Sequence, residues 1–369
     1  MEACGLSQVT EIDPCLFISD KVICLVYVDD TLLFARDQKD IDEMIRRLQE
    51  DQGMALEVED DVAGFLGVHM KKDPETGEIT LTQQGLIERI IDALGCKDMP
   101  SVSTPAEEAL GKDLDGDKPN CTFNYASVIG MLWCVYRHSR PDLGFAVSQA
   151  ARHAFNPTRK HELALIRIGQ YLKGTADKGL ILKPFNDDRF IVDVYVDSDF
   201  MGLYGKEDRD DPDNVKSRMG YVILLNGCPI IWASKLMQSI ALSTMMAEYY
   251  ALSAALREVL PLRDLLSAVG NGFGIFNASH TTFKTTVWED NAGALALAKL
   301  DPGQHTARSK HFDVKVHWFH SHLKGQPKAD DRGAIIVEKV ATELQFADLF
   351  TKSVVREILE RLRKLLMGW

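Results

Sequence analysis

The sequence predicts a mixed α/β protein that contains more than one folding unit. The chain has 369 residues, which exceeds the usual size of one hydrophobic core and favours division into about two or three units. The stretch Phe190–Asp199 is rich in β-branched and aromatic residues and predicts a strand near the centre of a sheet. Predicted strands and helices then alternate to the C-terminus, which is typical of an α/β domain with an antiparallel start.

Composition and charge limit the kinds of protein this chain can be and the partners it can bind. Hydrophobic residues make up 46% of the chain and charged residues 26%, as in ordinary globular proteins. No apolar run is long enough for a membrane span and the N-terminus has no signal pattern, so we expect no membrane association. The net charge of −12 disfavours nucleic-acid binding except through a local basic face. The 7 cysteines include no C-x-x-C pair, which favours buried, reduced thiols in a reducing compartment.

The first part of the chain contains a predicted hairpin with two acids at its tip. Residues 21–28 and 31–36 are apolar runs that predict strands, and Asp29 and Asp30 lie between them. Two interpretations stay open: a polar turn, or a carboxylate pair that binds metal ions at the end of a rigid hairpin. Further helices are predicted at 37–50 and 84–94, and further strands at 63–71 and 78–82.

The rest of the chain divides by composition and periodicity. Residues 97–121 are rich in Asp, Pro, Gly and Lys and predict a linker between domains at 1–96 and 122–184. The pattern of the second of these domains is helical, and its basic residues either lie along a nucleic-acid duplex or form a solvated face. These residues are Arg137, Arg140, Arg152, Arg159, Lys160, Arg167 and Lys173.

The last domain, predicted at 185–369, carries acids at the ends of several of its elements. Asp197 ends the first strand, Glu248 lies in a helix, Asp290 closes a later strand and Asp348 opens a helix. Each acid alone is as well explained by a helix cap or an exposed surface. A carboxylate at the end of a central strand, however, can lie in a rigid, partly desolvated site that suits a divalent metal ion. The predicted strands cover 190–196, 220–225, 229–233, 285–288 and 334–340, and the predicted helices 244–269, 292–299 and about 309–323.

Several motifs resemble those of the Pol polyproteins of copia-type LTR retrotransposons. Tyr27-Val28-Asp29-Asp30 resembles the palm motif of reverse transcriptases, and Gly64-Phe65-Leu66-Gly67 resembles a segment that follows it in this family. Motifs of the later domains are similar to the same family almost throughout. They are Ser139-Arg140-Pro141-Asp142, then Pro157, His161 and Ala164, residues 171–175, Gly220-Tyr221-Val222, Leu242-Ser243-Thr244, Ala247-Glu248-Tyr249, Asp290-Asn291, residues 309–313 and residues 347–352.

The resemblance implies both a fold and an activity. It implies a partial reverse transcriptase palm at 1–96, a helical thumb or connection at 122–184 and an RNase H-like mixed-sheet domain at 185–369. The implied activity of the last domain is metal-dependent cleavage of the RNA strand in an RNA–DNA hybrid. The implied cofactor is Mg²⁺, with Mn²⁺ as the alternative.

Carried over by position, the resemblance assigns catalytic and metal-binding roles to acids in two parts of the chain. In the RNase H-like part they are Asp197, Glu248, Asp290 and Asp348. Asp313 stays open as the alternative to Asp348, and Asp199 is a candidate outer acid. In the palm part they are Asp29 and Asp30.

We expect the palm part to lack polymerase activity. The family's polymerases need a third acid on a strand upstream of the hairpin, together with the fingers that hold the nucleotide, and this chain begins just before the hairpin. The resemblance also implies other Pol- or Gag-derived chains as partners. It implies a cytoplasmic location in virus-like particles, with the nucleus as the alternative.

A basic segment at 304–328 supplies the local positive face that the overall charge lacks. The residues assigned there to nucleic-acid binding are Arg308, Lys310, His311, Asp313 and Lys315. A zinc site among His317, His320 and His322 is the weaker alternative. No Cys accompanies these histidines, and their spacing does not place them together on one helix face.

The sequence leaves two alternatives to nuclease activity. Phe200-Met201-Gly202 stands where the family usually has Trp-Ala-Gly, and an acidic insertion occupies 206–213. These departures spare the carboxylates but are typical of a decayed element, so the alternative function is a catalytically silent, nucleic-acid-binding remnant. An α/β hydrolase with a Ser nucleophile is disfavoured, because the sequence has no G-x-S-x-G elbow.

Overall fold

The computed structural model describes residues 1–59, 64–120, 122–206, 210–275, 282–300, 304, 318–326 and 330–369. Within these ranges the chain forms a four-stranded, a three-stranded and a five-stranded sheet with helices packed between and around them. The predicted α/β class is confirmed. No helix in the described part is long and apolar enough to cross a membrane. Six described cysteines are free thiols, and four of them are buried.

The N-terminal sheet is an antiparallel meander covered by a helix on one face. Met44 and Leu48 pack on the sheet face that carries Val22 and Cys24. Phe273, from a helix of the last domain, packs against the opposite face. The strands are β1 (Ser7–Val9), β2 (Asp13–Ile18), β3 (Val22–Tyr27) and β4 (Asp30–Ala35), and the helix is α1 (Gln38–Arg46), which continues as a π-helical turn over Arg47–Asp51.

The predicted hairpin is present, and its two-residue turn lies one residue earlier in the chain than expected. Tyr27 pairs with Asp30, so Val28 and Asp29 form the turn and Asp30 already belongs to β4. Strands β1 and β2 were not predicted, because residues 1–20 show little periodicity. The strand predicted at 63–71 is wrong in its described first half: Gly64 and Gly67 have φ angles of 114° and 70°, which close a 3₁₀ turn there instead.

A three-stranded sheet and four helices form the middle of the molecule. Its strands are β5 (His69–Lys72), β6 (Ile79–Thr82) and β7 (Leu180–Leu182), and its helices are α2 (Gln84–Ala93), α3 (Tyr125–His138), α4 (Gly144–Ala151) and α5 (Arg159–Lys173). Gly95, at φ 66°, follows α2, in the left-handed conformation in which glycine commonly ends a helix. Ile90, Leu132 and Ile168 from this part share one hydrophobic cluster with Trp232 of the last domain.

The five-stranded sheet has the order β10-β9-β8-β11-β12, so β8 is the central strand, as its apolar run predicts. Strand β8 pairs antiparallel with β9 and parallel with β11. The strands are β8 (Phe190–Asp199), β9 (Arg218–Leu225), β10 (Cys228–Leu236), β11 (Phe283–Glu289) and β12 (Ile335–Lys339). The helices are α6 (Thr244–Phe273), α7 (Ala292–Ala298), α8 (Asp348–Thr351) and α9 (Arg356–Met367).

Side chains alternate between the two faces of this sheet, and helices cover both faces. Tyr221 and Ile223 of β9 pack in the cluster that contains α6 and α7. Val222 and Leu224, which point the other way, pack in the cluster that contains α3, α4 and α9. The helix predicted at about 309–323 lies largely outside the described residues, and its described end, Trp318–His322, is a 3₁₀ turn.

Candidate metal centre

Two of the predicted acids meet because neighbouring parallel strands end at the same edge of the sheet. Asp197 lies near the C-terminal end of β8 and is 4% exposed. Asp290 directly follows β11 and is half-buried. Since β8 and β11 run parallel and pair side by side, their carboxyl ends bring both carboxylates to one site.

Glu248 reaches the same site from α6. The side chain of Ser243 caps this helix by accepting a hydrogen bond from the Met246 backbone N–H at 3.2 Å. Ala251 and Leu252, three and four residues further on, are fully buried, so this face of the helix lies on the sheet and carries Glu248 inward. Ligand oxygens of Asp197, Glu248 and Asp290 all lie within 4.8 Å of one another.

Asp348 joins the edge of this cluster through a lysine. Asp348 opens α8 and is 7% exposed. The Lys352 ammonium lies 2.7 Å from Asp348 Oδ1 and 3.7 Å from Asp197 Oδ2. The Thr351 hydroxyl donates a hydrogen bond to the same Asp197 oxygen. The structure thus brings Asp348 beside Asp197, whereas its rival Asp313 lies outside the described residues.

Sequence reasoning missed several residues that hold or join the cluster. Gln345 is fully buried, and its side-chain amide donates to the Val196 carbonyl at 2.9 Å, which ties the segment before α8 to β8. Glu289, which ends β11, is also fully buried beside Asp290. The adjacent acid pair Glu289-Asp290 was a visible signal for Glu289. Nothing local marks Gln345, because its partner lies 149 residues away.

Burial and like charge raise the pKa values of these acids. Burial, then the charges of Asp197, Glu289 and Asp290, raise the pKa of Glu248 to about 10. Burial raises the pKa of Glu289 to about 8, and burial together with Asp197 raises the pKa of Asp348 to about 7. The same two causes raise the pKa of Asp290. The cluster therefore contains more carboxylates than nearby positive charges can balance.

The charge of Asp197 also shifts the pKa values of Asp199 and Lys352. Burial and the charge of Asp197 raise the pKa of Asp199, which ends β8 two residues after Asp197. Burial alone would lower the pKa of Lys352, but Asp197 and Asp348 outweigh it and hold the pKa of the ammonium above its usual range.

The donor set fits a hard divalent cation. All the converging ligand atoms are carboxylate oxygens, which Mg²⁺ and Mn²⁺ prefer. Glu248 Oε2 is buried and has no hydrogen-bond partner among the described residues, so it is a ligand atom without another use. A metal ion bound by Asp197, Glu248 and Asp290 would satisfy that oxygen and relieve the repulsion between the acids.

The acids of the N-terminal hairpin are arranged differently. Asp29 and Asp30 are exposed at the tip, next to Val28, which has φ 54° and is 81% exposed. Across the described ranges, Asp197, Glu248 and Asp290 form the only group of three or more His, Cys, Asp or Glu side chains that could share a metal ion. No third described ligand therefore converges with Asp29 and Asp30, and no described histidine group supports the zinc alternative.

The nucleic-acid assignments are mostly beyond what the structure describes. The predicted residues Arg308, Lys310, His311, Asp313 and Lys315 all lie outside the described residues. For Arg140 in the helical part, the nucleic-acid interpretation is wrong. Its side chain is fully buried and forms two hydrogen bonds to Asp142, at 2.8 and 2.9 Å.

The acidic insertion also has partners within the protein. Asp211 pairs with Lys112 of the linker, and Asp213 pairs with Arg152 at 3.1 Å. Arg152 is 15% exposed, so this pair lies mostly out of solvent. These acids tie the segments around Lys112 and Arg152 to the segment 210–213, which is a structural role.

Comparison with known proteins identifies the relatives of this chain. No family model matches it. A retrovirus-related Pol polyprotein from transposon TNT 1-94 of Nicotiana tabacum is 29% identical over 371 residues, covering 96% of this chain and 25% of that protein. Another, from transposon RE1 of Arabidopsis thaliana, is 28% identical over 349 residues, covering 93% of this chain and 22% of that protein. The chain is therefore similar to Pol polyproteins of copia-type retrotransposons over most of its length.

As a relative of these Pol polyproteins, the chain spans about a quarter of their length. Its copia-type motifs fall at defined places: Leu242-Ser243-Thr244 starts α6, and residues 347–352 form α8 and its lysine. Among solved structures, the N-terminal RNase H domain of a Mycobacterium tuberculosis protein is similar with 14% identity and a TM-score of 0.27, covering 47% of this chain and 97% of that chain.

Proposed function

We propose that this chain is an RNase H-type nuclease that cleaves the RNA strand of RNA–DNA hybrids. The observation that carries the proposal is the convergence of Asp197, Glu248 and Asp290 within 4.8 Å at the carboxyl edge of the central strand. Asp348, beside Asp197, is the fourth carboxylate of the proposed site. The relatedness to retrotransposon Pol polyproteins supports a nucleic-acid substrate over a small molecule.

The residues of the site have separable roles in this proposal. Asp197, Glu248 and Asp290 hold Mg²⁺, or Mn²⁺ in its place. A bound divalent ion supplies an activated water and stabilises the leaving 3′ oxygen of an RNA phosphate. Thr351 fixes the orientation of the Asp197 carboxylate through its hydrogen bond, and Gln345 fixes the backbone of β8 beside it. Rigid ligands of this kind lower the cost of bringing the acids together.

Substrate choice and partners follow from the same proposal. The 2′-hydroxyl of RNA distinguishes it from DNA at the cleaved strand. The basic segment with Arg308, Lys310, His311, Asp313 and Lys315 is the proposed contact for the phosphate backbone of the hybrid. Other Pol- or Gag-derived chains are the proposed protein partners, and virus-like particles in the cytoplasm, or the nucleus, the proposed location.

We further propose that this chain alone does not polymerise DNA. The support is the exposed position of Asp29 and Asp30, with which no third ligand converges among the residues described. Nucleotidyl transfer needs metal ions held firmly between nucleotide and primer, and two exposed acids on a hairpin tip hold them weakly.

The test is cleavage of an end-labelled RNA–DNA hybrid by the purified chain. We expect cleavage in Mg²⁺, none in chelator, and a loss of at least about 100-fold in Asp197→Asn. The matched control is Asp193→Asn, because Asp193 lies on the same strand and accepts a hydrogen bond from Trp288 at 2.9 Å, away from the cluster. The control should cleave within a few fold of the unchanged chain.

Two other results would decide against the proposal. A folded chain that binds the hybrid without cleaving it would identify the silent remnant. Cleavage that survives both chelator and Asp197→Asn would show that some other site is responsible.

A further inference from the structure

Lys352 places its ammonium group between two acids of the proposed site. Its ammonium lies 2.7 Å from Asp348 Oδ1 and 3.7 Å from Asp197 Oδ2, so it bridges two carboxylates of the proposed site. Within the described part of the chain, Lys352 is the one cationic side chain that forms an ion pair with Asp197, Glu248, Asp290 or Asp348. Asp197 and Asp348 thus pair with a lysine, whereas Glu248 and Asp290 form no ion pair with a described cationic side chain.

The segment around Lys352 is held in place without the lysine. Phe350 is fully buried, and Gln345 and Thr351 attach this segment to β8 through their hydrogen bonds. The Lys352 side chain itself is 44% exposed. A half-exposed lysine on a fixed backbone can leave Asp348 without disturbing α8, because its flexible stem reaches solvent.

We propose that Lys352 is the resident cation of this site: its ammonium blocks a divalent ion between Asp197 and Asp348 until it moves away. Without nucleic acid, the chain then binds a single divalent ion at Asp197, Glu248 and Asp290. The arriving phosphate of the substrate, which carries negative charge, is the group that draws Lys352 off Asp348 and opens the second position. This inference rests on the proposed nuclease function, and it gives Lys352 a positioning role within it.

The test counts Mn²⁺ ions bound by the full chain in the absence of nucleic acid, by calorimetry and by electron paramagnetic resonance. The unchanged chain should bind a single tight ion. Lys352→Met keeps the stem and removes the charge, and we expect it to bind a second ion roughly 10- to 100-fold more tightly than the unchanged chain does. Lys352→Arg, which keeps the charge, should behave like the unchanged chain. Lys352→Met combined with Asp348→Asn should lose the second ion again.

A surface ion pair of the same domain provides the matched control. Lys299 lies 3.9 Å from Glu338, and both side chains are about half exposed. Lys299→Met removes one positive charge from the domain without touching the site, so it should leave the number and affinity of bound ions unchanged. Equal gains in Lys299→Met and Lys352→Met would reduce the effect to net charge and overturn the inference.

The outcomes separate this inference from the proposed function. Two ions of similar affinity in the unchanged chain, or ion binding that Lys352→Met does not alter, would overturn the role of Lys352 alone. A failure of Asp197→Asn to weaken Mn²⁺ binding would overturn both proposals. If the chain binds ions as expected but does not cleave the hybrid, the nuclease function is rejected. The role of Lys352 in ion binding is then still supported.

Discussion

Gly220 lies directly opposite Asp197 in the β8–β9 ladder, and α8 fills the space that a side chain at Gly220 would take. A Cβ atom built on Gly220 would lie 2.7 Å from Phe350 Cβ and 2.8 Å from Thr351 Cγ2. The absence of a side chain at this point in β9 therefore lets α8 rest on the sheet, where Thr351 donates its hydrogen bond to Asp197. One residue with no functional group of its own thus sets the distance between the central acid and the α8 segment.

The first prediction is that Gly220→Ala pushes α8 away from Asp197. The added methyl group meets the buried side chains of Phe350 and Thr351, so we expect a loss of about 1–3 kcal/mol in the free energy of unfolding. Hybrid cleavage should fall as well, because Asp197 loses the hydrogen bond from Thr351. Urea denaturation and the cleavage assay measure the two effects.

Gly130→Ala is the matched control for this prediction. Gly130 lies in α3, is exposed and has no atom within 4 Å of an added Cβ. Since alanine favours the helix, this variant should be as stable as the unchanged chain or up to about 1 kcal/mol more stable. Unaltered stability and cleavage in Gly220→Ala would contradict the close packing of α8 on β9.

The second prediction is that Arg140 stabilises the fold and does not contact nucleic acid. Arg140 and Asp142 are both fully buried, and Tyr171 donates to the same carboxylate. Replacing Arg140 by Met leaves Asp142 buried without its ion-pair partner, so we expect a loss of about 3–5 kcal/mol in the free energy of unfolding. Arg137→Met, at an exposed residue near the C-terminal end of α3, should change stability by less than about 1 kcal/mol.

Binding measurements complete this prediction. Below its unfolding temperature, Arg140→Met should bind a hybrid with the same dependence on salt as the unchanged chain, because no phosphate contact is lost. A stable Arg140→Met with a reduced salt slope would instead restore the nucleic-acid interpretation of this residue.

The sequence predicts those features that depend on local pattern. The apolar run of β8 indicates a central strand, and the acids at strand ends indicate which carboxylates can converge. Features that depend on packing between distant parts of the chain are not visible in the local sequence. Thr351 donates to Asp197, which lies 154 residues away in the chain, and the residues next to Gly220 do not indicate that α8 packs there. The interpretation of Arg140 was wrong for a related reason. Arg140 lies between α3 and the 3₁₀ turn Pro141–Leu143, and its local sequence is the same whether the side chain is buried or exposed.

The third prediction concerns stability against pH in the absence of divalent ions. The pKa of Glu248 is raised to about 10 and that of Glu289 to about 8, so the folded chain keeps protons that the unfolded chain has already lost. Folding then takes up protons, and stability must fall as the pH rises from about 4.5 towards these raised values. We expect the melting temperature in chelator to fall steadily between about pH 5 and pH 9.

Glu248→Gln isolates the contribution of the cluster to this pH dependence. The neutral amide cannot ionise, so in chelator this variant should show a shallower fall and melt above the unchanged chain at about pH 9. Mg²⁺ should raise the melting temperature of the unchanged chain more than that of Glu248→Gln, since binding stabilises the state with the intact ligands. Glu357→Gln, on the exposed side of α9, is the control and should follow the unchanged chain.

The fourth prediction separates the hairpin acids from the nuclease site. Asp29 and Asp30 are exposed in the N-terminal sheet, and they do not belong to the metal-compatible group in the last domain. The double variant Asp29→Asn with Asp30→Asn should therefore keep the hybrid cleavage of the unchanged chain to within about 2-fold, because independent sites contribute additively. Primer extension on an RNA template should be absent from both proteins. Extension by the unchanged chain that disappears in the double variant would show that Asp29 and Asp30 hold catalytic metal ions, and it would overturn the proposed loss of polymerase activity.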